Sequence, residues 1–172
     1  MPRHVDQARR EQLLQAAVDY AIERGLADLT WRPLAQAMEV RPNTLVHHFG
    51  GKGELLSAIL NGVRDRLRAM SGQMRDGDPL QGVWDWTSSP ERAAFFRSFF
   101  EAYGLALRQP ERFAPFLERV VDDWLGERDP ARATLELAVL RGLLLDLLTT
   151  GERERVDGAF ALFLASNTPD ET

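Results

Sequence analysis

Apolar positions recur at helical spacing along most of this chain, and the elements they predict are all helices. Leu13, Leu14, Ala17, Val18, Ala21 and Ile22 form one stripe of a helix over Arg9–Arg24, which Gly25 ends as a C-terminal cap. The polar Met1–Ala8 before it reads as a frayed terminus, with Arg3 free to touch a neighbouring groove. Leu34, Ala35 and Met38 make the apolar face of a short helix that Thr30 caps and whose first turn tolerates Pro33. Glu39-Val40-Arg41 leaves that helix, and Pro42 opens another, buried through Leu45 and Phe49. A longer helix over Gly53–Met70 buries Leu55, Leu56, Ile59, Leu60, Val63 and Leu67, with Arg64, Arg66 and Arg68 on mostly solvated positions.

Further along, Ser71–Ser89 is glycine-dotted and polar as far as Trp84 and Trp86, and reads as a mobile loop with one short helical turn. Ser89-Pro90-Glu91 is a helix start, with cap, first-turn proline and first-turn acid in order. Asp129-Pro130 starts a helix running to about Thr149 whose apolar residues surround most of its circumference. Such a helix must be covered on nearly all sides, by its own domain and by a second chain. Gly151 ends it, and Glu152–Ala165 forms a final helix with Val156, Ala159, Phe160, Phe163 and Leu164 on one stripe.

The two short helices and their tight turn make a helix-turn-helix candidate. In the second of them Asn43, Thr44 and His47 point away from the buried side, and small polar groups on an outer face suit a major groove. Two other chemistries fail on spacing. Gly50-Gly51-Lys52-Gly53 is not a phosphate-binding loop of the GxxxxGK[ST] kind, because Gly53-Glu54 follows the lysine and a helix precedes it. His47-His48 cannot jointly hold a metal ion, because adjacent helical residues point about 100° apart. His48 is expected to pack at the helix junction and His47 to face DNA.

Residues Arg9–Leu60 resemble the DNA-binding domain of the TetR family of transcriptional repressors. The resemblance rests on RREQLLQAAVDYAIERG, Thr30, Leu34-Ala35, Thr44-Leu45, His48-Phe49, Lys52 and Leu55-Leu56, with spacing kept throughout. Three positions depart from the pattern: Glu39 stands for a turn glycine, Arg41 for a capping serine and Val46 for a phosphate-contacting tyrosine. Glu39 is therefore expected to hold a positive φ at a cost of ~1 kcal/mol. The resemblance implies that Asn43, Thr44 and His47 meet base edges, with Arg41 on a guanine, and that Thr30, Arg32 and Lys52 hold phosphates.

Charge adjusts this picture only modestly. The formal net charge of −5 divides into +2 over residues 1–68 and −7 over the rest, and DNA binding needs local rather than total positive charge. The only lysine, in a chain with 21 basic residues, is Lys52. Cysteine is absent, so disulfide and thiol chemistry are excluded. The chain carries neither a signal peptide nor an apolar run near ~18 residues, which leads to the expectation of a cytoplasmic protein with no membrane partner.

Ten of the fifteen aromatic residues fall between Trp84 and Trp124, a concentration that suits either core packing or a cavity for a flat, apolar molecule. Phe96, Phe99, Phe100 and Tyr103 share one helical face, with Phe95 toward its edge. The family resemblance implies an inducer pocket here, lined by Trp84, Trp86, Phe96, Phe99, Phe100, Tyr103, Phe113, Phe116 and Trp124. Glu101, Asp122 and Asp123 are acids that a cationic ligand would meet. Leu140–Leu164 looks like the helix pair through which TetR-family proteins dimerise, with Leu140, Leu144, Leu147, Val156, Phe160 and Phe163 at the interface.

The expectation is thus an all-α protein. Residues 1–52 form a three-helix helix-turn-helix domain, and 53–172 a helical ligand-binding and dimerisation domain. It would bind a near-palindromic operator on double-stranded DNA as a homodimer, acting as a repressor that an apolar or aromatic small-molecule inducer releases. No cofactor or metal is expected. A sequestering protein of the same fold without DNA recognition is the alternative. An enzyme is not expected, because the three histidines lie outside the aromatic region and no nucleophile motif is present.

Overall fold

The computed structural model describes residues 2–26, 29–71 and 80–166, with side chains from residue 6 onward apart from residue 71. Among these residues the chain forms nine α-helices and one 3-10 turn, and no strand. The helices are α1 (Pro2–Arg24), α2 (Trp31–Ala37), α3 (Pro42–Phe49), α4 (Lys52–Ser71), α5 (Leu80–Thr87), α6 (Ala93–Arg108), α7 (Pro110–Leu125), α8 (Pro130–Thr150) and α9 (Arg153–Ser166); the 3-10 turn Pro90–Arg92 leads into α6. They cluster into two compact units, one of Met1–Ser71 with Ala94–Val120, the other of Gly72–Ala93 with Val121–Thr172.

In the first unit Leu13, Ala17, Val18 and Ala21 of α1 are buried together with Leu34 and Ala35 of α2, Leu45 and Phe49 of α3, and Leu55, Ile59 and Val63 of α4. The residues of a helical stripe become one core because three- and four-residue steps return to the same face. α1 begins at Pro2, so residues 2–8 are helical rather than frayed. A proline suits a helix start, and Asp6 and Arg10 tie this end to α3: Asp6 Oδ1 lies 3.5 Å from His48 Nδ1, and Arg10 Nε donates to the His48 carbonyl at 3.2 Å. Expectations for the Arg3 side chain and for 72–79 fall outside the described residues.

Two readings of polar character are corrected here. Arg64 is buried, because it shares a side of α4 with Leu60 and Leu67; Arg66 is half-buried and ion-paired to Asp19 of α1. Phe95 is as buried as Phe96 and Phe99. It belongs to a second packed face of α6 with Ser98, Ala102 and Ala106, and the Ser98 hydroxyl donates to the Ala21 carbonyl at 3.0 Å.

The second unit holds a further correction. Leu80–Thr87, within the stretch read as a loop with one short helical turn, is the two-turn helix α5. Leu80, Val83, Trp84 and Thr87 recur at helical spacing, and Trp84 anchors the element: its ring stacks on Phe160 at 5.0 Å between centroids and its Nε1 donates to Asp157 at 2.8 Å. Asp129 caps α8 as expected, its Oδ1 accepting from the Arg132 N–H at 2.8 Å. No helix among the described residues is long and apolar enough to cross a membrane.

Candidate nucleic-acid interface and aromatic cluster

The α2–α3 turn is built by its backbone. The Val40 N–H donates to the Ala35 carbonyl at 2.9 Å and the Glu39 N–H to that of Gln36 at 3.2 Å, the paired bonds of a Schellman ending. That motif needs a left-handed residue between cap and exit, and Glu39 supplies it at φ 54°, as its place in the sequence required. It is the one non-glycine with positive φ among the described residues. At the far end of α3, Gly50 takes φ 78°, ψ −128°, a region closed to side chains, and turns the chain directly into α4. Thr30 precedes α2 in extended conformation, but its hydroxyl makes no capping bond, contrary to the sequence expectation. It is exposed instead.

Leu45 and Phe49 fix which way α3 faces. With them buried, Arg41, Asn43, Val46 and His47 are exposed and Thr44 is half-buried. Arg32 on α2 and Lys52 at the start of α4 are exposed too. None of Arg32, Arg41 and Lys52 is paired with a carboxylate among the described residues. His48 is half-buried against α1, and its ring meets His47 edge-on at 5.2 Å.

One participant was invisible in the sequence. Gly53, in the first turn of α4, is buried, and the guanidinium of Arg112 from α7 occupies the volume its Cβ would fill. Arg112 is placed there by a broken helix. Pro115 has no N–H to return to the Glu111 carbonyl, and the chain leaves helical geometry at Phe113 (φ −110°, ψ 17°). The turn carrying Arg112 is thereby set apart from the rest of α7, while Phe113 itself is buried.

The nine aromatic candidates divide between the units. In the first, Phe96, Phe99, Phe113 and Phe116 are buried and Phe100 and Tyr103 half-buried; Tyr103 links Phe99 at 5.6 Å to Phe116 at 5.8 Å. In the second, Trp84 is committed to Phe160 and Asp157, Trp86 lies under Arg92 at 4.4 Å, and Trp124 lies under Arg128 at 4.3 Å while donating to the Ala133 carbonyl. Beside Trp124 is a cleft of about 240 Å³ lined by Arg128, Asp129, Arg132, Ala133 and Glu136. It is small and charged, unlike the apolar pockets of ~300–1,000 Å³ that hold drug-sized ligands. Of the three acids, Asp122 and Asp123 are exposed and Glu101 is half-buried near Gly25.

The model of the bacterial regulatory proteins of the tetR family matches residues 13–59, which are α1 from Leu13, the helix-turn-helix and the start of α4. Residues 13–59 thus match a DNA-binding domain of the TetR family. Among curated TetR-family relatives, the transcriptional repressor KstR2 of Mycobacterium tuberculosis is 35% identical over 82 residues, 45% of this chain and 41% of that protein. The chain thus spans about two fifths of the length of this relative in the match. Among solved structures, SCO7518 of Streptomyces coelicolor A3(2) is 27% identical with a TM-score of 0.64, covering 80% of this chain and 85% of that one. The multidrug binding protein EbrR complexed with ethidium shares the fold at a TM-score of 0.69 and 24% identity, covering 89% and 96%.

Beyond the matched domain, the residues expected to meet a second copy are mostly turned inward. Leu140, Leu144, Leu147, Val156 and Phe160 are buried within their own chain, and Phe163 is half-buried. Periodicity could not decide this, because α8 is apolar on most sides. The exposed face of α8 runs instead through Leu135, Ala138, Gly142, Leu145 and Thr149, and that of α9 through Gly158, Ala161, Leu162 and Ala165.

Proposed function

We propose that this chain is a ligand-responsive transcriptional repressor that binds a near-palindromic DNA operator as a homodimer. The observation that carries the reading is the surface of α3. Asn43 and His47 are exposed on it, and Arg32, Arg41 and Lys52 lie exposed nearby in the sequence without an acidic partner. A cation left unpaired at a helix-turn-helix is available to phosphates and base edges. Arg41 and Asn43 read bases, His47 and the half-buried Thr44 assist, and Thr30, Arg32 and Lys52 hold the backbone. Residues 1–52 supply these contacts; 53–172 carry ligand response and assembly, in a protein expected in the cytoplasm.

Two copies meet through the exposed stripe Leu135–Ala138–Gly142–Leu145 of α8 and the small-residue face of α9. Steps of three and four along α8 make a continuous seam, and Gly142, Gly158 and Ala161 permit close approach. This assignment replaces the buried leucines with the side chains that have surface to give. A flat, apolar inducer meets Phe100 and Tyr103, whose half-buried rings border the buried Phe96, Phe99, Phe113 and Phe116. EbrR, seen with ethidium, is a fold relative that binds a molecule of this shape. Inducer binding acts by favouring a dimer whose recognition helices no longer match successive major grooves, ~34 Å apart.

Selection of DNA from a random pool by the purified protein tests the reading. Recovery of a near-palindrome with half-sites about one helical turn apart, or a multiple, is the expected result. A folded, dimeric protein that enriches no sequence would move the function to ligand sequestration.

A further inference from the structure

Val46 is a large apolar side chain left 45% exposed on α3. Among the described residues the other exposed large hydrophobics, Leu107, Leu135, Leu145 and Leu162, lie on α6, α8 and α9. Neither folding nor helix propensity accounts for a valine here, since the site buries little of it and β-branching disfavours helix. Its position is specific. At about 100° per residue, His47 lies opposite the mean direction of Leu45 and Phe49, Asn43 lies about 40° from His47, and Val46 lies about 60° beyond Asn43, at the edge of that outward face. Val46 therefore shares the outward face of α3 with the exposed polar residues Asn43 and His47.

We infer that Val46 is a specificity-determining residue that packs its isopropyl group on the 5-methyl group of a thymine in the major groove. The inference rests on the reading of α3 as the recognition helix. In the major groove thymine alone of the four bases presents a methyl group, whereas purines offer polar N7 edges and cytosine an amino group. An isopropyl group set against a purine edge or the cytosine amine would strip water from a polar group without replacing its hydrogen bond. Set against thymine, it removes two apolar surfaces from water together. Each half-site of the operator should accordingly carry one thymine whose methyl group matters to binding, and whose importance depends on Val46.

The test uses the full-length protein and the operator recovered by pool selection, with each thymine of a half-site replaced in turn by deoxyuridine, which removes only the methyl group. One position is expected to lose affinity roughly fourfold, the size expected for one methyl-sized apolar contact, and about fifteenfold when both half-sites are changed. Val46→Ala, whose folding is checked by its melting curve, should bind thymine and deoxyuridine operators equally. The inference is overturned if no thymine is sensitive, if Val46→Ala keeps the same sensitivity, or if that variant loses affinity equally for operator and unrelated DNA, which would make Val46 a backbone contact. A pool that yields no enriched sequence fails earlier, before any deoxyuridine is introduced. That outcome removes the recognition-helix reading and this inference with it.

Discussion

Arginine is used in opposite ways at the two ends of this chain. Around α8 and α9 it is tied down: Arg128 and Arg132 both reach Glu136, Arg153 reaches Asp157 and Ser88, and Arg155 grips Asp146 through two bonds of 2.7 and 2.8 Å while also pairing with Glu152. Around the helix-turn-helix, Arg32, Arg41 and the lone Lys52 have no carboxylate among the described residues. Formal charge leans the same way but leaves the head with only +2 over its first 68 residues, against −7 over the rest. Pairing separates them. A cation whose charge is already answered within the chain contributes little to an external anion, and an unanswered one is ready for it.

The comparison can be broken at several places. The largest effect belongs to the second unit, where Trp84→Ala should cost about 3–5 kcal/mol in denaturant unfolding by emptying the stack on Phe160. Next come the unanswered cations. Arg41→Ala should lose ~1–3 kcal/mol of operator binding and relax preference at one base, whereas Lys52→Ala should weaken all DNA alike and lower the salt slope by about 1 in binding titrations. Unchanged affinity and slope in Lys52→Ala would end its assignment as a phosphate contact. Arg155→Ala, by contrast, should leave DNA affinity intact.

A smaller effect is expected at the α2–α3 turn. Glu39→Gly should relieve part of the ~1 kcal/mol of left-handed strain and raise the melting temperature slightly without changing DNA affinity. The smallest is electrostatic. Hydrogen bonds from Arg155 hold the Asp146 carboxyl below its ordinary pKa. Its stabilising contribution is therefore complete above the unfolded aspartate value of ~3.9 and is lost as pH falls through the lower folded value. Melting temperature measured from pH 6 down to 2 should fall less steeply in Asp146→Asn than in the parent at the acid end.

Local chemistry made much of the head legible. Proline at position 42, glycine after α1 and α3, and an apolar stripe on each helix are decided within a few residues, while the positive φ of Glu39 followed from the family resemblance, in which glycine is usual at that place. Distant packing hid the rest. Arg64 reads as solvated because charge usually is, and only its neighbours on α4 place it inside. Pro2 begins a helix because Asp6 and Arg10 find His48. On α8 the difficulty was excess rather than absence of signal, since a helix apolar on most sides does not say which leucines its own chain will claim.

Gly53 and Arg112 give the geneticist a paired locus. A side chain at 53 must displace the guanidinium that fills its space. Because Arg112 is long and exposed, its guanidinium can swing aside for Gly53→Ala at little cost, whereas larger side chains at 53 should be better tolerated in an Arg112→Ala background. The last glycine of a short run that looks like a phosphate loop is thus neighboured by an arginine far downstream, and a screen for second-site revertants of bulky substitutions at 53 would find it without any knowledge of the fold.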